Sequence, residues 1–172
     1  MALQPYIQKA GLIALPSCQN PVFPQSTNDS TAIKMHTDKI PLNLQTIVSS
    51  YCSPNSSILE IFQDLETLVN NIGAEMAVLG ADLNAYSKIW GYKDENIRSS
   101  QVEDFIADNH LFLLNDKNSA PTFETNNRKD WPDLSVVKVA DLISLCIREV
   151  LYDYSQSDRK YSKIHLSSNR KI

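Results

Sequence analysis

The stretch Val78–Gly91, VLGADLNAYSKIWG, decides how this chain is read. It opens inside an apolar run, EMAVLG, that has the character of a short, fully buried strand. The run ends at a small-residue turn, and Asp82 and Asn84 follow two residues apart. A Trp-Gly pair, Trp90-Gly91, closes the segment. An acid and an amide at the mouth of a buried strand have two readings. They cap the strand end as a D-x-N turn, or they form part of a polar site, provided the rest of the chain supplies partners.

Upstream, SSILEIFQDLETLVNNIG repeats Ile58, Phe62, Leu65, Val69 and Ile72 at helical spacing. Ser57 and Glu60 make a capping-box pattern at its start, and Gly73 suits the stop. Before it, PLNLQTIVSSYCSP alternates through Leu42, Leu44, Thr46 and Val48, which predicts a half-buried strand ending near Tyr51. Residues Pro16 to Thr31 are rich in Pro, Ser, Asn and Thr and read as a loop, with a short strand at Ala32 to His36. Downstream, SSQVEDFIADNHLFLLN predicts a second helix, capped by Ser100 and Glu103, running towards a strand or turn near Phe112 to Leu114. PTFET and WPDLSVV read as two strands joined by the polar turn NNRKD. A further helix is predicted across VADLISLCIREVL and a last strand at KYSKIHL. The mixture of helices, strands and late hairpins favours a mixed α/β layered sandwich over a pure βαβ array.

With 172 residues, 42% of them hydrophobic and 21% charged, the chain fits one ordinary globular domain. No apolar run approaches the roughly 20 residues of a membrane span. The start, MALQPYIQKAG, lacks the organisation of a secretory signal, so a cytoplasmic or nuclear location is expected. Cys18, Cys52 and Cys146 are odd in number and widely spaced, which predicts free thiols rather than a zinc site or disulfide framework. The net charge of −4 does not advertise nucleic-acid binding, although the tail SDRKYSKIHLSSNRKI is basic. A metal-dependent nuclease can be acidic, because its carboxylates hold the cation that meets the phosphate.

Polar residues recur at the predicted strand ends: Tyr51, the Asp82/Asn84 pair, Asp133 and Asp158. Strand ends on one edge of a sandwich can converge on one cleft. Carboxylates with an amide and a phenol suit divalent-metal hydrolysis of a phosphodiester. In order and spacing, YCSP, VLGADLNAYSKIWG, NIRSSQVEDFI, LFLLND, PTF, WPDLSVV and SDRKYSKIHL resemble the endonuclease domain of non-LTR (LINE-type) retrotransposons, in particular the arthropod-type elements. These belong to the endonuclease/exonuclease/phosphatase superfamily. The likeness runs from Leu3 to about Leu166. It implies a four-layer αββα sandwich of two mixed β-sheets flanked by helices, Mg²⁺ or Mn²⁺ as cofactor, target-site DNA as partner and a fused reverse transcriptase in a longer product. By the same likeness Asp82 orients and deprotonates the attacking water, Asn84 positions water or phosphate, and Tyr51 contacts the scissile phosphate. Asp133 would orient the active-site histidine, and Asp158 would assist the metal site.

The sequence departs from that pattern at two places. The glutamate expected between Gln4 and Pro5, the family's principal metal ligand, is missing, and Arg159 stands where the family has its histidine. The first strand, with a family asparagine, lies outside this chain, so residues 1–172 are expected to form a single, N-terminally truncated domain. An arginine cannot be a general base near neutral pH, but it can bind phosphate and pair with Asp133. His165, seven residues after Asp158, lies about 23 Å away along a strand and is no substitute. His36 and His110 match no catalytic position, and none of Glu60, Glu66, Glu75 and Glu95 is expected at a strand end facing the cleft. Trp90 and Trp131 read as core or rim aromatics. Arg98, Arg128 and Lys129 read as solvated loop charges, with DNA-backbone contact open to the last two. Two functions remain: an impaired metal-dependent endonuclease domain, or a catalytically dead remnant with at most weak nucleic-acid binding. WGYKDENIRSSQVEDF argues against a third, a phosphatase of the same superfamily.

Overall fold

A computed structural model describes residues 9–13, 21–35, 44–153, 155 and 157–167. The helical spacing upstream of the opening stretch becomes α1 (Ile58–Ile72), which buries Ile58, Ile61, Phe62, Leu65, Leu68, Val69 and Ile72. It connects β3 (Leu44–Tyr51) to β4 (Met76–Asp82), and a crossover helix is what a parallel pair of strands requires. Around this unit β1 (Val22–Ser26), β2 (Ser30–Lys34), β5 (Leu111–Leu113) and β8 (Asp133–Lys138) complete a six-stranded sheet in the order β1-β2-β3-β4-β8-β5. Only β3 and β4 run parallel in it; the other pairs are antiparallel.

Period-two alternation divides this sheet's faces. Val48, Ala77, Leu79, Leu134 and Val136 meet α1 and α2 (Ile97–Asp108), whose Phe62 and Phe105 rings stack 4.5 Å apart. Val78, Val137 and Ile47 meet Cys146, Ile164 and Leu166 of a second, two-stranded sheet, β9 (Cys146–Val150) with β10 (Ser162–Leu166). Helices, six-stranded sheet and two-stranded sheet are three successive layers of the expected mixed α/β sandwich. A small hairpin, β6 (Phe123–Glu124) with β7 (Lys129–Asp130), stands apart from both sheets. No helix among the described residues is long and apolar enough to cross a membrane.

Several local expectations are corrected. The supposed loop before Thr31 contains β1 and the start of β2. Its hydroxyls are satisfied internally, Ser30 Oγ lying 2.9 Å from Ser50 Oγ and Thr31 donating to the Ala10 carbonyl at 3.1 Å, so a polar-looking stretch forms an interior strand. The helix expected over 139–151 is a single turn at Ala140–Leu142 followed by β9. There Cys146 is buried while Ile147 and Glu149 are exposed, a period of two fixed by pairing with β10. The polar turn NNRKD itself supplies the partner of Phe123–Glu124, while WPDLSVV enters the main sheet.

The caps shift as well. Ser57 precedes α1 without a side-chain cap, and Gly73 ends it at φ 61°, in the left-handed region. Helix α2 begins ahead of Ser100, capped by Asn96, whose side chain accepts from Ser99 N at 3.1 Å. Cys52 and Cys146 are free and buried, as expected; Cys18, His36 and the Gln4-Pro5 junction lie outside the described residues.

Candidate active site

Strand registry builds the site. Tyr51 on β3 lies opposite Asp82 on β4, and Asp82 lies opposite Asp133 on β8. The three form one row at the end of the face turned towards the second sheet. The next rows are Ser49, Gly80 and Ser135, then Ile47, Val78 and Val137. This face grades from apolar to polar, and with Arg159, Ser162 and Ile164 it lines a cleft of about 510 Å³.

Asp82 is only 8% exposed. Burial pushes its carboxyl above the usual range; Arg159 works against that rise and Asp133 adds to it. One carboxylate oxygen accepts the Asn84 backbone N–H at 3.2 Å, the D-x-N turn that the sequence allowed. Asn84 takes a positive φ of 49°, and its side-chain amide donates to the Cys52 carbonyl at 3.0 Å. Asp82 therefore both braces its turn and faces the cleft, whereas Asn84 braces the turn and lines a smaller pocket beside Arg159.

Arg159 fills the centre. Its Nη2 meets Asp82 Oδ2 at 2.8 Å and its Nη1 meets Asp133 Oδ1 at 3.3 Å, so one guanidinium forks between two carboxylates. The pairing with Asp133 was expected; the shorter bond to Asp82 was not. The loop carrying Arg159 is stitched to β6: Lys160 N donates to the Thr122 carbonyl at 2.7 Å, Glu124 N donates to the Asp158 carbonyl at 2.9 Å, and Lys160 pairs with Glu124. Glu124 is held down at about 2 by its bonds to Lys160 and Lys129. Asp158 itself is exposed, and among the described residues its carboxylate has no hydrogen-bond partner. It is not brought to the row.

Three residues that hold the row escaped the sequence reading. Asp133 keeps its place because its carbonyl accepts from Asn115 Nδ2 at 2.9 Å and from Arg148 Nη2 at 3.2 Å. Arg148 also reaches Ser135 and Ser162, tying the second sheet to the first. It lay in the segment misread as helix, where its inward alternation was invisible. Asn96 accepts from Tyr86 N at 3.0 Å and donates to the Asn84 carbonyl at 3.3 Å, clamping the Asp82 loop to α2.

Arg98, expected to be solvated, donates to the Leu83 carbonyl at 2.9 Å, the Ser53 carbonyl at 3.0 Å and the Ser56 carbonyl. It bridges the loops that follow β3 and β4. Arg98→Ala is expected to cost about 2 kcal/mol in urea denaturation, since three carbonyls lose a charged donor. Arg98→Lys should recover only part of that, because a point charge cannot fork. A cost below about 0.5 kcal/mol would return Arg98 to a solvated charge.

The remaining candidates are placed elsewhere. Arg128 pairs with Asp130 and donates to the Tyr86 hydroxyl at 3.2 Å, and Lys129 pairs with Glu124 at 2.9 Å. His165 faces outward against Glu149 at 3.1 Å, and His110 is exposed beyond the end of α2. Glu75 pairs with Lys34, and Glu60, Glu66 and Glu95 are exposed. Trp90 is wholly buried; Trp131 is half-buried at the rim, donating to the Ser119 carbonyl at 2.8 Å. A side chain at Gly91, where φ is 116°, would strike the Trp131 indole at 2.9 Å, which explains the glycine after Trp90.

This layering defines the class of fold. The fold is that of the endonuclease/exonuclease/phosphatase proteins. The endonuclease domain of TRAS1, a telomere-specific non-LTR retrotransposon, superposes with a TM-score of 0.75 at 22% identity, over 88% of this chain and 69% of that one. An endonuclease/exonuclease/phosphatase family protein from Bacteroides thetaiotaomicron aligns with a TM-score of 0.54 at 13% identity, over 80% of this chain and 54% of its own. The endonuclease-reverse transcriptase family matches residues 45–162, and the chain belongs to it. No curated protein matches the chain.

Proposed function

We propose that this chain is the endonuclease domain of a non-LTR retroelement whose phosphodiester-cleaving site stands closed. Target-site DNA is its ancestral substrate, and a reverse transcriptase follows it in a longer product that works in the nucleus or is made in the cytoplasm. The observation that carries the reading is the Arg159 fork. In the ancestral roles Asp82 takes the proton of the attacking water, Asn84 and Tyr51 hold water and phosphate, Asp133 steadies a histidine and Asp158 assists the metal. Here the Asp82 oxygen that would receive that proton already accepts from Arg159 at 2.8 Å, and the Asn84 amide is spent on Cys52. Arg159 keeps further N–H donors for a phosphate, but it cannot release a proton near neutral pH.

A divalent cation does not fit the residues as they stand. Among the described residues no three His, Cys, Asp or Glu side chains gather as metal ligands would. The two carboxylates that do meet share a guanidinium already. We further propose that residues 1–172 are an incomplete domain. The roomy cleft beside Asp82 supports this, as does β10, which among the described residues pairs with β9 alone. A longer product would supply a further strand, while the glutamate missing between Gln4 and Pro5 calls for an insertion.

The test is nicking of supercoiled plasmid in Mg²⁺ or Mn²⁺. It compares the chain, its Asp82→Ala variant, and a repaired form with glutamate inserted between Gln4 and Pro5 and Arg159→His. Nicking by the repaired form alone is expected. Nicking by the unrepaired chain that vanishes in Asp82→Ala would overturn the closed site. A repaired form that folds by circular dichroism yet does not cut would favour the second reading, a dead remnant with at most weak nucleic-acid binding. The double engagement of Asp82 and Asn84 already speaks for that reading.

A further inference from the structure

We infer that Arg159 is the cation of this site and that it shuts the Asp82–Asp133 pair to divalent metal. Two carboxylates directly opposite one another on neighbouring strands repel, so the row demands a positive charge. Asp82 makes the demand sharper because so little of it reaches water. The Arg159 guanidinium answers with one nitrogen for each carboxylate. Its planar fork matches two acceptors at once, which a spherical ion matches only by displacing it.

The carboxylates are fixed from behind rather than by Arg159. Asp82 sits in β4, and the Asp133 backbone is held by Asn115 and Arg148. Arg159 comes instead from a loop anchored on the Thr122–Glu124 segment. Removing the guanidinium therefore leaves both carboxylates in place without their counter-ion. Arg148 stays close, but its side chain donates to a carbonyl and two hydroxyls. Its charge limits any new metal affinity to weak binding, on the order of millimolar.

The inference rests on the reading of this row as the former reacting site. Its test contains no DNA, so its failure and that of the nuclease reading are separable. Mn²⁺ is titrated into the full chain, Arg159→Gln, Arg159→Lys and the Asp82→Asn/Asp133→Asn double variant. Loss of the six-line electron paramagnetic resonance signal of free Mn²⁺ reports binding. The unaltered chain should bind no more Mn²⁺ than the double variant, and its melting temperature should ignore EDTA. Arg159→Gln should bind at least about tenfold more tightly, the scale of removing one unit charge at contact distance. That gain should vanish when Asp82→Asn is added.

Should circular dichroism show Arg159→Gln unfolded, Arg159→Lys decides. It keeps the charge but loses the fork, and it should bind Mn²⁺ more tightly than the unaltered chain. Uptake by the unaltered chain that the double variant abolishes would overturn the inference. So would an Arg159→Gln that folds, or failing that an Arg159→Lys, with no gain.

Discussion

Arg159→Ala is expected to cost the fold about 2 kcal/mol at pH 7, and most of that cost should be gone near pH 4. Breaking a buried ion pair from one side costs roughly 3–5 kcal/mol, because the abandoned charge stays in place. The lower figure applies here because the Arg159 side chain is 47% exposed, so water already shares its charge. The pH dependence follows from Asp82, whose carboxyl is raised by burial above its ordinary 3.8 and is held back by Arg159. Without the guanidinium it rises further. A carboxyl raised in the folded state keeps a proton that the unfolded chain has lost. Its contribution is full below about 3.8 and fades as pH climbs through the folded value. The gap between Arg159→Ala and the unaltered chain should therefore widen from pH 4 to pH 7 in urea denaturation. Adding Asp82→Asn should close most of it at pH 7. A gap independent of pH would place the loss in packing, not charge.

Trp90→Ala should be the costliest substitution in the chain, at about 4 kcal/mol. Trp90 is the largest side chain with no exposure, and its indole donates to the Ala85 carbonyl at 3.1 Å. The deletion combines an aromatic-sized cavity with a buried carbonyl stripped of its donor. Against a total stability of roughly 5–15 kcal/mol, that loss is enough to leave much of the chain unfolded on mild warming. Trp90→Phe keeps most of the volume and should cost less than half as much. The guanidinium chloride midpoints of the three proteins measure both effects. A Trp90→Ala midpoint close to the unaltered one would mean that the loop after Asp82 packs without its tryptophan.

What was legible in the sequence divides along physical lines. Helix α1 and strand β4 declare themselves because their apolar spacing is set by one buried face or two, and the structure returns both. Strand β2 was read only from Ala32 onward, because Ser30 and Thr31 are buried through hydroxyl bonds that only the fold supplies. Strand β9 was obscured by a leucine-rich approach at the Ala140–Leu142 turn. In the candidate site, Tyr51, Asp82 and Asp133 were found through an ordered set of motifs, and the sheet does bring them into one row. The pull of Arg159 on Asp82 was not, since it depends on how a surface loop is pinned to a hairpin whose partner strand was itself misplaced. Asn96, Asn115 and Arg148 act on backbone carbonyls and amides, and such roles leave no residue-type signature.

The alignment of Tyr51, Asp82 and Asp133 has a last consequence. Side chains alternate with a period of two, so β8 cannot creep along β4 by a single position without turning its whole inner face outward. Such a slip would carry Asp133 to the helix side and strand Arg159 with a single acid. The ion pair thus works as a vernier on the central sheet. A spectroscopic probe of the guanidinium that senses two carboxylates reports strand alignment to within one residue, even in a chain that cuts nothing.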